Sequence, residues 1–162
     1  MRSQIVAILP AALALCVSAC ANQNPTQPVT STATGATAAD LAFCVQDINA
    51  FRASVGRPAL AQSAALEVFA HVSAQEDATA GISHTHFDAT NGAGVALGEN
   101  ELLTTALNLF GTVQAAMHGA DAIFIAEGPS GGHYQHLVGS YTQVGCGVFI
   151  ANGAITVAQE FR

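Results

Sequence analysis

The apolar residues that follow position 40 recur at intervals of three and four, which is the spacing of one helix face. They are Leu41, Cys44, Ile48, Phe51 and Val55. Thr37 and Asp40 have the spacing of a capping box, in which two side chains bond the free N–H groups of a helix start. Gly56 is a residue type that ends helices. These signals predict a first helix between Thr37 and Gly56.

A second helical pattern follows Ser63, a residue type that caps helix N-termini, and continues to Gly81. Leu66 and Phe69 belong to its apolar side. The residues from 81 to 98 mix small, polar and histidine side chains without a regular period, so they are predicted to form a loop. Loops of this length usually carry a function or lack order.

Two further helical patterns follow that loop. The first runs from Glu101 to Met117 and is weakened by Gly111. Its apolar side consists of Leu102, Leu103, Leu107 and Phe110. The second is a short piece from Asp121 to Ala126 that leads into a glycine-rich turn at residues 128–132. The middle of the chain is therefore expected to be helical.

The clearest local signal lies at Asn152-Gly153, which separates two apolar runs near the C-terminus. Asn-Gly favours a two-residue hairpin turn because both residues adopt positive φ readily. Counting outward from the turn predicts pairs on one face of the hairpin, because side chains alternate along a strand. The predicted pairs are Ile150 with Ile155, Val148 with Val157, Cys146 with Gln159 and Val144 with Phe161. Helices followed by an antiparallel hairpin predict an α+β domain.

Length and charge restrict the possible partners. The chain has 162 residues, which is room for one domain. It contains 11 acidic residues, four arginines and no lysine, and its net charge is −7. Nucleic-acid binding depends on Lys and Arg that neutralise phosphates, so this charge excludes a nucleic-acid partner. An anionic lipid surface is disfavoured for the same reason.

The N-terminal residues indicate export. Arg2 precedes an apolar stretch from Ile5 to Val17, and the small residues VSAC at 17–20 form a cleavage site, as in a signal peptide. The stretch is shorter than the roughly 20 apolar residues of a spanning helix. The VSAC ending also resembles the bacterial lipobox, in which cleavage leaves Cys20 as the lipid-bearing residue. Plain signal cleavage with an incidental Cys20 is the alternative.

Three segments are predicted on this basis: a signal peptide at 1–19, a lipid-anchored flexible tether at 20–37 and a folded domain at 38–162. The tether is rich in Thr, Asn, Gln and Pro and buries too little apolar surface to become ordered. The expected location is the bacterial cell envelope, with the membrane as a partner through the anchor. Ala21 in place of an aspartate favours the outer membrane, with the domain facing the periplasm or the exterior.

Cys16 belongs to the predicted signal peptide and Cys20 to the predicted anchor, so the folded part contains two cysteines, Cys44 and Cys146. Cys44 lies in the apolar stripe of the first helix, and Cys146 shares a strand face with Val148, so both are expected to point inward. In an oxidising compartment they are natural partners for a disulfide. A pair of buried free thiols is the alternative.

Four short motifs follow one another in the second half of the chain. They are SHT at His84, GEN at Glu99, GHY at His133 and VGCGV around Cys146. In this order they resemble the CAP (SCP-like) superfamily, which includes cysteine-rich secretory proteins, insect venom allergens and plant pathogenesis-related proteins. The resemblance covers about residues 40 to 162. It implies a three-layer α-β-α sandwich with a central cavity that two histidines and two acids line.

The resemblance assigns His84 and His133 as the two histidines of the cavity and Glu99 as its first acid. The family usually places the second acid in a W-x-x-E helix, and the stretch at 113–119 has neither of these residues. Glu127, six residues before His133, is the predicted substitute. Two more histidines lie close in sequence: His86 is held in reserve as a ligand, and His136 is interpreted as incidental.

Two imidazoles and a carboxylate from separate elements suit Zn²⁺, with a fourth position open to water or to the second acid. The alternative is a polar cluster in which Glu99 holds loops together by hydrogen bonds. The resemblance implies binding, with zinc, sterols and fatty acids reported for various members, more than catalysis. We therefore predict a binding module whose cavity holds Zn, a small ligand or a lipid. A metal-dependent hydrolase of peptides or envelope polymers and a structural envelope protein are the alternatives.

Overall fold

The computed structural model describes residues 35–162, so the predicted signal peptide, Cys20 and most of the predicted tether lie outside the described residues. The helices within this range are α1 Ala38–Ser54, α2 Ala64–Ala80, α3 Thr85–Thr90, α4 Val113–Ala126 and α5 Gly132–Leu137. The strands are β1 Ala61–Gln62, β2 Gly98–Ala106, β3 Gln143–Ala151 and β4 Ala154–Phe161. Single 3₁₀ turns cover Asn91–Gly94 and Leu107–Leu109.

The first two predicted helices are confirmed. Thr37 and Asp40 form the predicted capping box at the start of α1, which ends one residue before Val55. Helix α2 begins after Ser63 and ends at Gly81, whose left-handed backbone, with φ 69°, stops the helix. The predicted boundaries therefore hold to within a residue, although the Ser63 side chain makes no capping hydrogen bond at the start of α2.

The four strands form one sheet in the order β1-β3-β4-β2. Strands β3 and β4 pair antiparallel, and β2 lies antiparallel to the other side of β4. The four predicted hairpin pairs are all present, from Ile150 with Ile155 at the turn to Val144 with Phe161 at the far end. The Asn-Gly turn therefore sets the register of the hairpin, as its geometry requires.

Helix α2 covers one face of the sheet and packs closely on β3. Gly145 and Gly147 permit this approach, because a Cβ at either position would overlap the backbone of α2 near Glu67 and His71. The His71 side chain also contacts the carbonyl oxygen of Val148 through Nδ1, at 2.8 Å. The alternating glycines of β3 thus bring a helix backbone directly onto the sheet.

Helices α1 and α4 cover the opposite face, where the main core lies. Core side chains there come from α1, α4, β3 and β4, and they include Ile48, Phe124, Val148 and Val157. A disulfide between Cys44 and Cys146 joins α1 to β3 and confirms the predicted pairing. Helices on both faces of one sheet confirm the predicted α+β class and its three-layer α-β-α arrangement.

The predicted helix from Glu101 to Met117 is wrong over most of its length. Residues up to Ala106 belong to β2, and helix α4 begins at Val113 and continues through the predicted short piece to Ala126. The apolar spacing fits a helix, but β4 needs a second partner, and pairing with β2 overrides local preference. Leu102, Leu107 and Phe110 of the predicted apolar side still pack against the main core, but they do so from β2 and the turn that follows it.

The predicted loop at residues 81–98 contains regular structure, namely α3 and the 3₁₀ turn Asn91–Gly94. Both pieces are shorter than the windows in which apolar periodicity can be recognised. Among residues 35–162, no helix has the length and the apolar character that crossing a membrane requires.

Candidate functional site

A pocket of about 380 Å³ opens where β2, α3 and α5 come together. Three histidines and three acids line it: His84, His133, His136, Asp88, Glu99 and Glu127. Phe87 and Leu97 form an apolar wall. The pocket therefore contains the three residues that the resemblance assigns to a cavity, His84, Glu99 and His133, and the predicted substitute Glu127. It also contains His136, for which the sequence predicts an incidental place.

His84 lies at the start of α3 in a left-handed conformation with φ 64°. Its backbone N–H donates to Oε2 of Glu101 at 3.3 Å, and this bond holds the turn against β2. Positive φ is uncommon for a residue other than glycine, so surrounding contacts have to maintain it. The turn directs His84 toward Glu99, the second residue of β2.

His84 is partly exposed, and its Nδ1 donates to Oε1 of the buried Glu99 at 2.7 Å. This bond raises the pKa of His84 above its usual value, against the opposing effect of burial. Glu99 is only 3% exposed, and burial alone would raise its pKa. Hydrogen bonds from His84, Glu160 and Ser73 outweigh burial and hold the pKa of Glu99 below its usual range.

His133 and Glu127 form a second pair of the same kind. Nδ1 of His133 donates to Oε1 of Glu127 at 2.5 Å, and its backbone N–H donates to Oε2 at 3.2 Å. The bond with His133 lowers the pKa of Glu127. Gly131 makes the approach possible, since a Cβ there would overlap the Glu127 side chain. The glycine-rich turn before α5 therefore brings Glu127 to His133.

The two histidine rings face each other across the pocket. Their centres are 5.9 Å apart and their planes are inclined by 34°. Phe124 lies behind His133, with ring centres 4.5 Å apart. Because a separate carboxylate occupies each Nδ1, the Nε2 atom of each ring is the nitrogen left for a ligand.

His136 is the functional candidate that sequence reasoning missed. Its Nδ1 donates to the carbonyl oxygen of Glu99 at 3.0 Å and to Oδ1 of Asn100 at 2.9 Å. Burial lowers its pKa, so the ring is neutral at pH 7. The available signal was its position three residues after His133 on one helix, which puts both rings on the same side of α5.

His86, the reserve ligand, lies outside this pocket. Its Nδ1 contacts Oε2 of Glu76 at 2.8 Å, and its ring packs on Phe69 with centres 4.9 Å apart. Of the two histidines in the SHTH segment, the structure therefore brings His84 to the pocket and directs His86 toward α2.

Further buried acids lie behind Glu99, between the sheet and α2. Burial raises the pKa of Glu160 to about 11 and that of Glu101 to about 8. Glu160 is therefore a neutral acid at pH 7 that can donate a hydrogen bond to Glu99, while Ser73 donates to Glu160 at 3.2 Å. A neutral neighbour of this kind leaves Glu99 as the ionised member of the pair.

A zinc ion requires nitrogen, sulfur or oxygen donors that converge on one point. Within residues 35–162, no three His, Cys, Asp or Glu side chains converge as a set that could hold a metal ion. Two imidazoles do converge, and rings that share one Zn²⁺ through Nε2 have centres about 5 to 6 Å apart. Carboxylates on Nδ1 are the usual outer partners of zinc-binding histidines. The pocket therefore offers two imidazole donors, and any further coordination position would be left to water or a bound molecule.

The fold and the motifs agree with comparisons to known proteins. The chain matches the model of the CAP family, described as the cysteine-rich secretory protein family, over residues 45–157. It is similar to the crystal structure of Na-ASP-1, with a TM-score of 0.59 and 18% identity over 84% of this chain and 41% of that one. A cysteine-rich secretory protein from Staphylococcus aureus subsp. aureus Mu50 has a TM-score of 0.48 and 15% identity, over 76% of this chain and 38% of that one.

The comparison with curated proteins finds no significant match. The chain spans about two fifths of the length of the two solved structures. At these identities the likeness concerns the fold.

Proposed function

Because the chain belongs to the CAP family, the cysteine-rich secretory protein family, we propose that it is a binding module whose pocket holds a zinc ion through His84 and His133. The observation that carries this proposal is the pair of facing imidazoles, 5.9 Å apart, whose Nδ1 atoms both contact carboxylates. Imidazole nitrogens are a donor type that Zn²⁺ prefers, and zinc would displace the proton from a charged ring on binding.

Glu99 and Glu127 orient the two rings in this proposal. Each accepts a hydrogen bond from Nδ1, which fixes the tautomer and places the lone pair on Nε2. A bound zinc ion supplies open coordination positions for a lone-pair donor of a ligand. The apolar wall of Phe87 and Leu97 supports a ligand with an apolar portion, such as a small molecule or a lipid.

Isothermal titration of zinc into the purified chain, prepared without chelators, tests the proposal. We expect saturable binding of one equivalent, lost in the double variant His84→Ala, His133→Ala. The matched control is the double variant His86→Ala, His118→Ala, which also removes two histidines but lies outside the pocket. If the two double variants bind zinc equally well, zinc is not held by His84 and His133 and is not part of the function.

The hydrolase alternative has its own test. Turnover of peptides or envelope polymers by the zinc-loaded chain, abolished by chelation and by Glu99→Gln, would support catalysis. A zinc-loaded chain that binds metal but turns over no substrate in a broad panel favours binding. If the chain neither binds zinc nor turns over a substrate, a structural protein of the envelope is the function that remains.

We also propose that the domain is held at the bacterial cell envelope by a lipid on Cys20. The Cys44–Cys146 disulfide supports an oxidising compartment, because structural disulfides are rare in the reducing cytosol. Mass spectrometry of the protein from membranes should find the mature N-terminus at Cys20 with acyl chains attached. A soluble product that begins at another residue, or an unmodified Cys20, contradicts the anchor.

A further inference from the structure

One end of the molecule is formed by the turn between β3 and β4 together with the segment that follows β2. The backbone N–H of Leu107 donates to the carbonyl oxygen of Gly153 at 2.9 Å and joins the two. The chain from the N-terminus enters at the same place, because a Cβ on Gly35 would overlap the side chain of Ile150. We name this surface, which consists of residues 35–36, 104–112 and 150–154, the hairpin end.

We propose that the hairpin end contacts the surface of a lipid bilayer, so that the histidine pocket lies at the end of the domain away from the membrane. This inference rests on the proposed lipid anchor at Cys20, because the anchor holds the domain beside the membrane. Even a fully extended chain from Cys20 to Gly35 spans no more than about 55 Å. The anchor therefore keeps Gly35, and the hairpin end with it, close to the bilayer.

The segments that build the hairpin end lack charge, although the whole chain carries −7. Residues 102–113 and 143–159 contain no Asp, Glu, Lys, Arg or His. Asp40 is the first acid after Gly35, and it is half-buried and bonded to Thr37 and Gln114. A charged group that is pressed against an apolar surface loses water at a large cost in free energy. The hairpin end avoids this cost when it contacts a bilayer.

The hairpin end also exposes apolar surface. Leu109 is 74% exposed, more than any other large apolar side chain in residues 35–162, and Phe110 beside it is half-buried. A small pocket of about 140 Å³ near the turn is lined only by uncharged residues, among them Thr104 and Phe149. Apolar side chains with hydroxyl groups around them suit the boundary between lipid headgroups and acyl chains.

The histidine pocket lies at the opposite end of the sheet. Glu99 at the start of β2 pairs with Glu160, and the part of β4 between Glu160 and the turn at Gly153 is about 23 Å long at the rise of a strand. Asp88 and Glu127, which line this pocket, are exposed acids. They disfavour contact of that end with a bilayer. A ligand would therefore reach the histidines from the aqueous compartment and not directly from the anchoring membrane.

The contact between the hairpin end and the bilayer can be weak. A single exposed leucine and its half-buried neighbours bury little apolar area, which is too little for firm binding of a free domain. An anchor makes the second contact intramolecular and raises its effective concentration. The anchor thus brings the domain to the membrane, and the hairpin end determines which way the domain faces.

Single tryptophans test this orientation, because the chain contains none of its own. Leu109→Trp places the reporter at the hairpin end, and Leu97→Trp places it at the histidine pocket, where Leu97 is 67% exposed. Each protein is purified from membranes and placed in phosphatidylcholine vesicles whose acyl chains carry bromine, which quenches nearby tryptophan. We expect a loss of fluorescence for Leu109→Trp and none for Leu97→Trp. Equal quenching of the two reporters, or stronger quenching of Leu97→Trp, would overturn the orientation.

A second form of attachment separates this inference from the proposed anchor. In a chain that begins at Cys20, the other two cysteines form the disulfide, so the thiol of Cys20 can be coupled to a maleimide phospholipid in the same vesicles. Quenching of Leu109→Trp alone would then support the hairpin end as the contact surface even if the natural protein carries no lipid. Absence of quenching in the coupled protein would overturn it even if Cys20 is acylated in the cell.

An added charge tests the contact surface itself. With Asn108→Trp as the reporter, Leu109→Asp should abolish quenching, because its carboxylate would lose water at the bilayer. Leu97→Asp adds the same charge at the other end and should leave the quenching intact. Unchanged quenching in Leu109→Asp would overturn the proposal. A blue shift of the Leu109→Trp emission without vesicles, growing with protein concentration, would identify a second copy of the chain as the occupant and would overturn it as well.

Discussion

At the scale of single residues, the histidine pocket depends on which ring nitrogen each carboxylate holds. Glu99 and Glu127 come from different elements, yet both bind Nδ1 of a histidine and leave Nε2 open. The two pairs differ in burial, since Glu99 lies inside the molecule and Glu127 lies at its surface. Water therefore screens the attraction between Glu127 and His133 more than the attraction between Glu99 and His84.

Glu99→Gln should lower the pKa of His84 in the metal-free protein. The present pKa is raised chiefly by the hydrogen bond to Glu99, and a neutral amide stabilises the imidazolium far less. An NMR titration of the His84 ring signals measures the change. Glu127→Gln is the control, because Glu127 bonds His133 and should leave the His84 midpoint close to its original value. A His84 pKa that is unchanged in Glu99→Gln would contradict the pairing.

The sequence motifs predicted four of the polar residues that line the pocket but not all of them. SHT, GEN and GHY identified His84, Glu99 and His133, and the spacing before GHY led to Glu127. His136 was missed because its role depends on Asn100 and on a backbone carbonyl of β2, which only the folded chain brings near.

At the scale of secondary-structure elements, the sequence predicts those elements correctly whose ends are set by contacts between near neighbours. It predicts the wrong element where pairing with a distant strand determines the structure. The capping box and the Asn-Gly turn act between near neighbours, so α1 and the β3–β4 hairpin were predictable. Strand β2 depends on β4, which lies about 50 residues farther along the chain, and its leucines follow a helical spacing. The sequence around Glu101 therefore pointed to the wrong element.

Gly147→Ala should destabilise the protein because α2 packs directly on β3 at this position. A Cβ would overlap the backbone of Ala70 and His71, so the helix would have to move away from the sheet. We expect the free energy of unfolding to fall by about 1–3 kcal/mol, as for an overpacked core. Urea denaturation measures the change. Gly132→Ala is the control, because a Cβ there meets no atom within 4 Å, and its stability should stay close to that of the parent chain.

At the scale of the whole molecule, three helices enclose a sheet that contains an unusual amount of buried acid. Asp77, Glu99, Glu101, Asp121 and Glu160 are all buried. Burial raises the pKa of Glu101 to about 8 and that of Glu160 to about 11. Glu101 and Glu160 therefore keep their protons in the folded state at a pH where the unfolded chain releases them.

Stability should therefore decrease between pH 5 and pH 8. The unfolded carboxyl groups lose their protons near pH 4.5, so above that value the folded state binds more protons and becomes less stable as pH rises. Each such group contributes a slope of up to about 1.4 kcal/mol per pH unit. The raised pKa of His84 acts in the same direction, since its contribution is lost as pH rises through that pKa.

Urea unfolding at several pH values measures this slope. Glu101→Gln should flatten it, because the amide stays neutral throughout, whereas Glu127→Gln should not, since Glu127 is an exposed acid with a lowered pKa. A free energy of unfolding that increases from pH 5 to pH 8 would contradict the protonated state of the buried acids.

The most direct test of the account is anomalous scattering at the zinc edge from crystals of the protein grown with zinc. We expect one strong peak in the pocket, about 2.0–2.1 Å from Nε2 of both His84 and His133. Glu99 and Glu127 should still accept hydrogen bonds from the Nδ1 atoms of the two rings. A zinc peak held by one of these histidines alone, or a pocket without a peak at saturating zinc, would contradict this account.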